Sequence, residues 1–182
     1  MSDVLELITL SEAKPPFFVG IDVGGTGIKF GLVDDNGRTL GRSRISTQQE
    51  RGPEDACLRM TDSVLSLVST CKLNIDQIAH VGLATPGTMD IAAGILLQPH
   101  NLSAWWNFPI RDHLSKVLNK PVAFQNDANA AAFGEYWIGS GADYNSMVLF
   151  TLGTGVGGGI MGRGADLLII DGNPLEDIRI MT

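Results

Sequence analysis

Short apolar runs alternate with amphipathic stretches along this chain. Residues 17–21, Phe-Phe-Val-Gly-Ile, read as a strand buried on both faces, which the Asp22 carboxylate ends. The β pattern resumes at Ile28, Phe30, Leu32 and Val33, so residues 17–34 predict a hairpin whose turn, Gly24-Gly25-Thr26-Gly27, is nearly free of side chains. Asn36-Gly37 tips the next turn, and Thr39–Ser46 pairs back as a third antiparallel strand. Pro53 starts a helix, with Glu54 and Asp55 in the first turn, where the dipole favours negative charge. Ala56, Met60, Val64, Leu67 and Val68 recur on it at helical spacing. Residues 78–83 are the next buried strand, and residues 89–98 a strand or hairpin around Gly94. Ile110–Leu118 is a helix with Ile110, Leu114, Val117 and Leu118 on one face and His113 on the solvated side. Residues 121–124 form a strand, the alanine-rich stretch from Ala128 a helix, and Ser146–Leu152 another buried strand.

Strands and helices follow one another along the chain, as in an open α/β sheet. The candidate chemistry sits at the strand ends. Around the first turn, Asp22 offers a carboxylate for a hydrated Mg²⁺, Thr26 a hydroxyl for a phosphate oxygen, and Lys29 a cation. Neither a P-loop nor a dinucleotide fingerprint fits, because residues 28–33 continue as strand where both would need a helix. Thr85-Pro86-Gly87 is a turn at a strand's carboxyl end, where open α/β sheets bind ligands, although an ordinary turn has the same signature. The Asn101 carboxamide both donates and accepts, as vicinal sugar hydroxyls require. Trp105 and Trp106 either cap the core or line a cleft. Asn126 and Asp127 stand where a strand hands over to a helix, and capping and site roles are both open to them. Residues 153–160 form a second glycine-rich turn with an embedded threonine, Gly153-Thr154-Gly155 at its start. Two such loops are far more specific than one.

Composition narrows the classes. In 182 residues, 44% are hydrophobic and 18% charged, which suits one soluble domain with a real core. The net charge of -7 opposes a broad nucleic-acid surface. Cys57 and Cys71 lack the spacing of a metal or disulfide framework, which fits a reducing cytoplasm. Residues 1–16 contain acidic residues and no long apolar core, so neither a signal peptide nor a membrane span is expected. Residues 1–14 read as a leader of one or two helical turns, set off by Pro15-Pro16 and too short for a DNA-binding helix-turn-helix.

The Asp-x-Gly-Gly-Thr hairpin resembles the first phosphate loop of the sugar-kinase, heat-shock-chaperone and actin superfamily. The stretch IDVGGTGIKFGLVD, with the Thr-Pro-Gly turn, the Asn101 loop, Asn-Asp-Ala-Asn and the second glycine-rich loop in order, is most similar to the ROK family of bacterial sugar kinases and repressors. The resemblance implies an actin/hexokinase-like (ribonuclease H-like) mixed sheet flanked by helices, of which residues 17–160 would be the first lobe. It implies ATP-dependent phosphorylation of a hexose of the glucokinase type, with Mg²⁺. Asp127 would be the catalytic base, and Asn101, Asn126 and Gly87 would hold the sugar. Asp22, Gly24, Gly25, Thr26, Lys29, Gly153, Thr154 and Gly155 would serve the phosphates, with Asp22 reaching Mg²⁺ through water. The same family implies an alternative, a non-catalytic sugar-sensing regulatory module.

After residue 160 the family's Gly-Glu-x-Gly-His sugar clamp and zinc motif are expected and do not occur. Residues 164–179 look instead like the closing strand and turn of amidohydrolase-family enzymes, or simply like a β-prone segment and a turn. Residues 161–182 are therefore an atypical tail, and the chain reads as a truncated or chimeric form with little activity alone. Which hexose is used stays open, as does the oligomeric state, a homo-oligomer included.

Overall fold

The computed structural model describes residues 6–99, 101–152, 156–162 and 168–170. Strands β1 (Phe17–Val23), β2 (Gly27–Val33) and β3 (Thr39–Ser46) form an antiparallel meander. Helix α1 (Pro53–Thr70) crosses back so that β4 (Ile78–Thr85) lies parallel to β1. A small hairpin, β5 (Thr88–Asp90) and β6 (Ile95–Gln98), leads to helix α2 (Ile110–Leu118). Strand β7 (Val122–Asn126) then joins parallel to β4, which completes a five-stranded sheet in the order β3-β2-β1-β4-β7. Helix α3 (Asp127–Ile138) leads to a second sheet of β8 (Ser146–Leu152), β9 (Val156–Gly162) and β10 (Leu168–Ile170).

One face of the main sheet carries the core. Val19, Ile21 and Val23 of β1, Ile28 and Leu32 of β2, and Val81 and Leu83 of β4 bury against α1 and α2. Helix α1 contributes the predicted stripe Ala56, Met60, Val64, Leu67 and Val68, together with Cys57. Trp105 is wholly buried with its indole N–H donated to the Gln49 carbonyl at 3.3 Å, whereas Trp106 is half exposed, so the two tryptophans divide between core and surface. His113 lies off the buried face of α2 and is half-buried, its ring centroid 5.3 Å from that of Phe108.

The opposite face corrects the expectation that β1 is buried on both sides. Gly20 pairs with Gly31 of β2 and Gly82 of β4, and Gly82 with Ala123 of β7, so a row of small residues crosses the sheet. A side chain added at Gly20, Gly31 or Gly82 would meet nothing. Above this row lies an open groove of about 920 Å³, walled at one end by Asn129, Ala130 and Phe133 of α3. A one-sided layer leaves half of each strand's residues uncovered, whatever their hydrophobicity. Strand β8 is likewise not buried: Val148, Phe150 and Leu152 alternate outward and are exposed.

Residues 156–160, read from the sequence as part of a turn, are strand in β9. Helix α3 explains the glycines there. A Cβ at Gly159 would stand 2.6 Å from Cβ of Ala132, and one at Gly157 would stand 3.2 Å from Cβ of Ala128, so helix and strand approach too closely for side chains. Of the expected leader, residues 1–5 lie outside the described residues; residues 6–14 hold a hydrogen-bonded turn at 9–13 and no helix, with Ile8 N–H bonded to the Thr39 carbonyl and Lys14 N–H to the buried Asp34 carboxylate. Within residues 161–182, positions 161–162 close β9 and 168–170 pair with it in β10; the rest of the expected tail lies outside the described residues.

Candidate active site

Strands β1, β4 and β7 run parallel and side by side, so their carboxyl ends open at one edge of the sheet. The hairpin turn follows β1, the Pro86-Gly87 turn follows β4, and Asp127 follows β7. The register carries this to residue level: Asp22 pairs with Ala84, and Thr85 with Asn126. In a doubly-wound sheet this edge is where ligands bind.

The turn itself is held from behind. Gly24 N–H donates to the Gly27 carbonyl at 2.9 Å. Thr47, fully buried just past β3, donates its hydroxyl to the Gly24 carbonyl at 2.6 Å and its N–H to the Thr26 carbonyl at 3.2 Å. The N–H groups of Gly25 and Thr26 make no hydrogen bond with any described residue. Two backbone donors in a turn without bulky side chains make a site an anion can approach. Lys29 Nζ lies 3.1 Å from Asp22 Oδ2 across the strand pair, both side chains largely exposed, so the pair contributes little to stability and leaves both groups reachable.

Asn101 stands against the hairpin: a Cβ on Gly25 would come within 3.2 Å of its Cβ. Buried Leu102 and Trp105 anchor that segment from below. Gly87 adopts φ 89°, and a Cβ there would collide with Pro99, so a side chain at Gly87 is excluded twice over. The turn after β4 thus packs on the residues that lead to Asn101.

At the β7–α3 junction, Asn126 is the helix cap. Its side-chain oxygen accepts the N–H groups of Ala128 at 3.0 Å and Asn129 at 3.3 Å. That use leaves its NH₂ group as the end that can meet a ligand. Asp127 is the first helical residue, and its Oδ1 accepts the Ala128 N–H at 2.8 Å. Two fully buried polar atoms beside this junction, Thr85 Oγ1 and Asn129 Oδ1, lack a partner among the described residues.

The fold therefore gathers Asp22, Gly24, Gly25, Thr26, Lys29, Asn101, Gly87, Asn126 and Asp127 along one edge. Gly153, Thr154 and Gly155 lie outside the described residues. Sequence reasoning missed Thr47, because nothing local marks a threonine that braces a turn 21 and 23 residues earlier. Arg44 was missed as well, although the pairing of β3 with β2 could have disclosed it: it faces Lys29 in register. A single carboxylate, Asp22, fits a Mg²⁺ ion that keeps most of its water and takes further oxygens from phosphates. Among the described residues no cluster of three histidine, cysteine or acidic side chains could hold a metal.

The profile of the ROK family matches residues 18–168. The chain belongs to the ROK family. Glucokinase of Thermotoga maritima is 36% identical to this ROK chain over 154 residues, which are 85% of this chain and 47% of the relative. The crystal structure of a ROK hexokinase from Thermus thermophilus superposes with a TM-score of 0.74 at 32% identity, over 84% of this chain and 48% of that one. A ROK glucokinase of Streptomyces griseus, solved in complex with glucose and AMPPNP, superposes with a TM-score of 0.68 at 32% identity, over 84% of this chain and 46% of that one. The fold is thus the mixed α/β sheet of ROK kinases, corresponding to about their first half. This ROK chain spans about half the length of the curated relatives it matches.

Proposed function

We propose that this chain provides the phosphate hairpin and the catalytic base of an ATP-dependent hexose kinase of the glucokinase type. The observation that carries this reading is the presence together, at the carboxyl ends of β1, β4 and β7, of an anion turn nearly free of side chains and an aspartate at a helix start. In this reading Asp127 accepts the proton of the attacking sugar hydroxyl, and a carboxylate within hydrogen-bond reach of that hydroxyl is what the step needs. Asn101 and the NH₂ of Asn126 orient the sugar, while the Gly87 turn admits it closely. The N–H groups of Gly25 and Thr26, the Thr26 hydroxyl and Lys29 receive the phosphates, with Gly24 giving the turn its shape. Asp22 would hold Mg²⁺, which would neutralise charge on the phosphates when bound. Gly153, Thr154 and Gly155 supply a second phosphate contact. Residues 169–182, beyond the end of the family match, are proposed to depart from the family's second-lobe pattern, and the 182 residues alone to have little turnover.

The test is ADP release with glucose, N-acetylglucosamine and N-acetylmannosamine. It is run on the chain alone and on the chain joined to the C-terminal half of the Thermotoga maritima glucokinase, with circular dichroism as a check of folding. Hexose-dependent ADP release by the joined form is expected. A folded joined form that is inert toward every hexose overturns the kinase reading.

A further inference from the structure

Four of the six described arginines, Arg38, Arg51, Arg59 and Arg111, are engaged in ion pairs; the side chains of Arg42 and Arg44 make no ion pair or hydrogen bond with a described residue. Those two are neighbours two positions apart on β3, about 6.6 Å along the strand, and both are exposed. In register they face Gly31 and Lys29, on the open side of the sheet. Arg42 and Lys29 line the groove there, whose one carboxylate, Asp22, is already paired with Lys29. The Arg44 guanidinium lies over Gly27, at the base of the anion turn: a Cβ on Gly27 would be 2.7 Å from its Nε and 2.8 Å from its Nη2. A chain this acidic, with a net charge of -7, has carboxylates to spare for pairing, yet among the described residues none forms an ion pair with these two cations.

We propose that Arg44, with Arg42 behind it, forms a second cationic contact for a polyphosphate chain whose end is held by the hairpin. The guanidinium fork suits phosphate oxygens bidentately, and its planar donors need no rearrangement of the strand. Lys29 is partly neutralised by Asp22, whereas Arg44, lodged over Gly27, has its full charge to offer. The proposal rests on the phosphate reading of the hairpin and extends it along β3. The shared chemistry is a run of phosphates, which either a nucleoside triphosphate or inorganic polyphosphate presents.

The experiment is calorimetric titration of the 182-residue chain with inorganic tripolyphosphate, ATP and AMP at low salt, on wild type, Arg44→Gln, Arg44→Lys, Thr26→Val and Arg111→Gln, each checked for an unchanged melting curve. Tripolyphosphate binding is expected to weaken about three- to tenfold in Arg44→Gln, an exposed charge-assisted contact, and to recover in part in Arg44→Lys. AMP should bind worse than either longer chain. A matching loss for ATP assigns the contact to both donors, and a loss confined to tripolyphosphate assigns it to inorganic polyphosphate. If wild type binds neither long chain, or Arg44→Gln binds as wild type does, or Arg111→Gln loses as much, the proposal is overturned. Loss in Thr26→Val with none in Arg44→Gln would overturn this contact and leave the hairpin reading intact. Loss in Arg44→Gln with none in Thr26→Val would remove the Thr26 hydroxyl from the hairpin reading.

Discussion

Asn126 caps the helix that Asp127 begins. The carboxamide oxygen of Asn126 takes the N–H groups of Ala128 and Asn129, so Asp127 is not the cap of α3. Replacing Asn126 by Ala should therefore cost about 1 kcal/mol in urea unfolding, the ordinary loss of an N-cap. Asp127→Asn should leave stability within about 0.5 kcal/mol, as expected of a substitution that removes no cap. In the joined two-half form it should lower kcat by about two to four orders of magnitude with sugar KM little changed. An unaltered kcat would remove Asp127 from the chemistry.

The glycines of the two sheets should respond in opposite ways. Gly159→Ala puts a methyl 2.6 Å from Cβ of Ala132, a helix position that moves only with its backbone, and should destabilise by about 1–3 kcal/mol. Gly20→Ala meets open space and should be neutral within about 0.5 kcal/mol. Denaturant midpoints of the two variants decide it, and equal effects would contradict the close α3–β9 packing.

Asp34 ties the leader to the β2–β3 turn. Burial raises its pKa, but hydrogen bonds from the Arg38 side chain and from the backbone N–H groups of Lys14, Arg38 and Asn36 outweigh it and hold the pKa below the usual carboxylate value. A folded-state pKa below the unfolded one means stability that is complete above the unfolded pKa and is lost as pH falls through the folded value. Asp34→Asn should cost about 1–3 kcal/mol at neutral pH. Its deficit relative to wild type should shrink below about pH 4, where the wild-type carboxyl also protonates. A deficit independent of pH would show that the charge is immaterial.

The two thiols should separate by reactivity. Burial, with the charge of Glu54 as a second cause, pushes the Cys57 pKa up to about 12, whereas Cys71 is raised by a lesser burial. Only the thiolate attacks a disulfide reagent. At pH 8 the folded chain should expose one reactive thiol, Cys71, with Cys57 at least about tenfold slower until denaturant is added. Peptide mapping after brief labelling reads the order, and early modification of Cys57 would contradict the packing of α1.

Much of the local structure was legible because it is written locally. The turn after β1 follows from glycines around a threonine, β3 from its alternation after Asn-Gly, and the buried stripe of α1 from helical spacing; each occurs where expected. The strand-end positions of Gly87, Asn126 and Asp127 were legible for the same reason, since an apolar run ending in a turn or a helix former marks them without reference to the rest of the chain.

Other properties required the assembled molecule. An apolar run in β1 or β8 states that a strand can be buried, but only the placement of α1, α2 and α3 decides which face is covered; the row Gly20, Gly31 and Gly82 and the outward Val148, Phe150 and Leu152 are left open by that placement. The division of labour between Asn126 and Asp127 turns on a fraction of a helical turn, which two residues with similar capping preference do not encode. The bracing of the turn by Thr47 and the lodging of Arg44 over Gly27 depend on strand register, a relation between segments 17 to 23 residues apart. The sequence by itself determined which residues could form an anion turn, a strand and a helix start, because those choices are settled by backbone preference within a few residues. Only the tertiary structure decided what stands beside them, because contact between distant segments is set by the packing of whole layers.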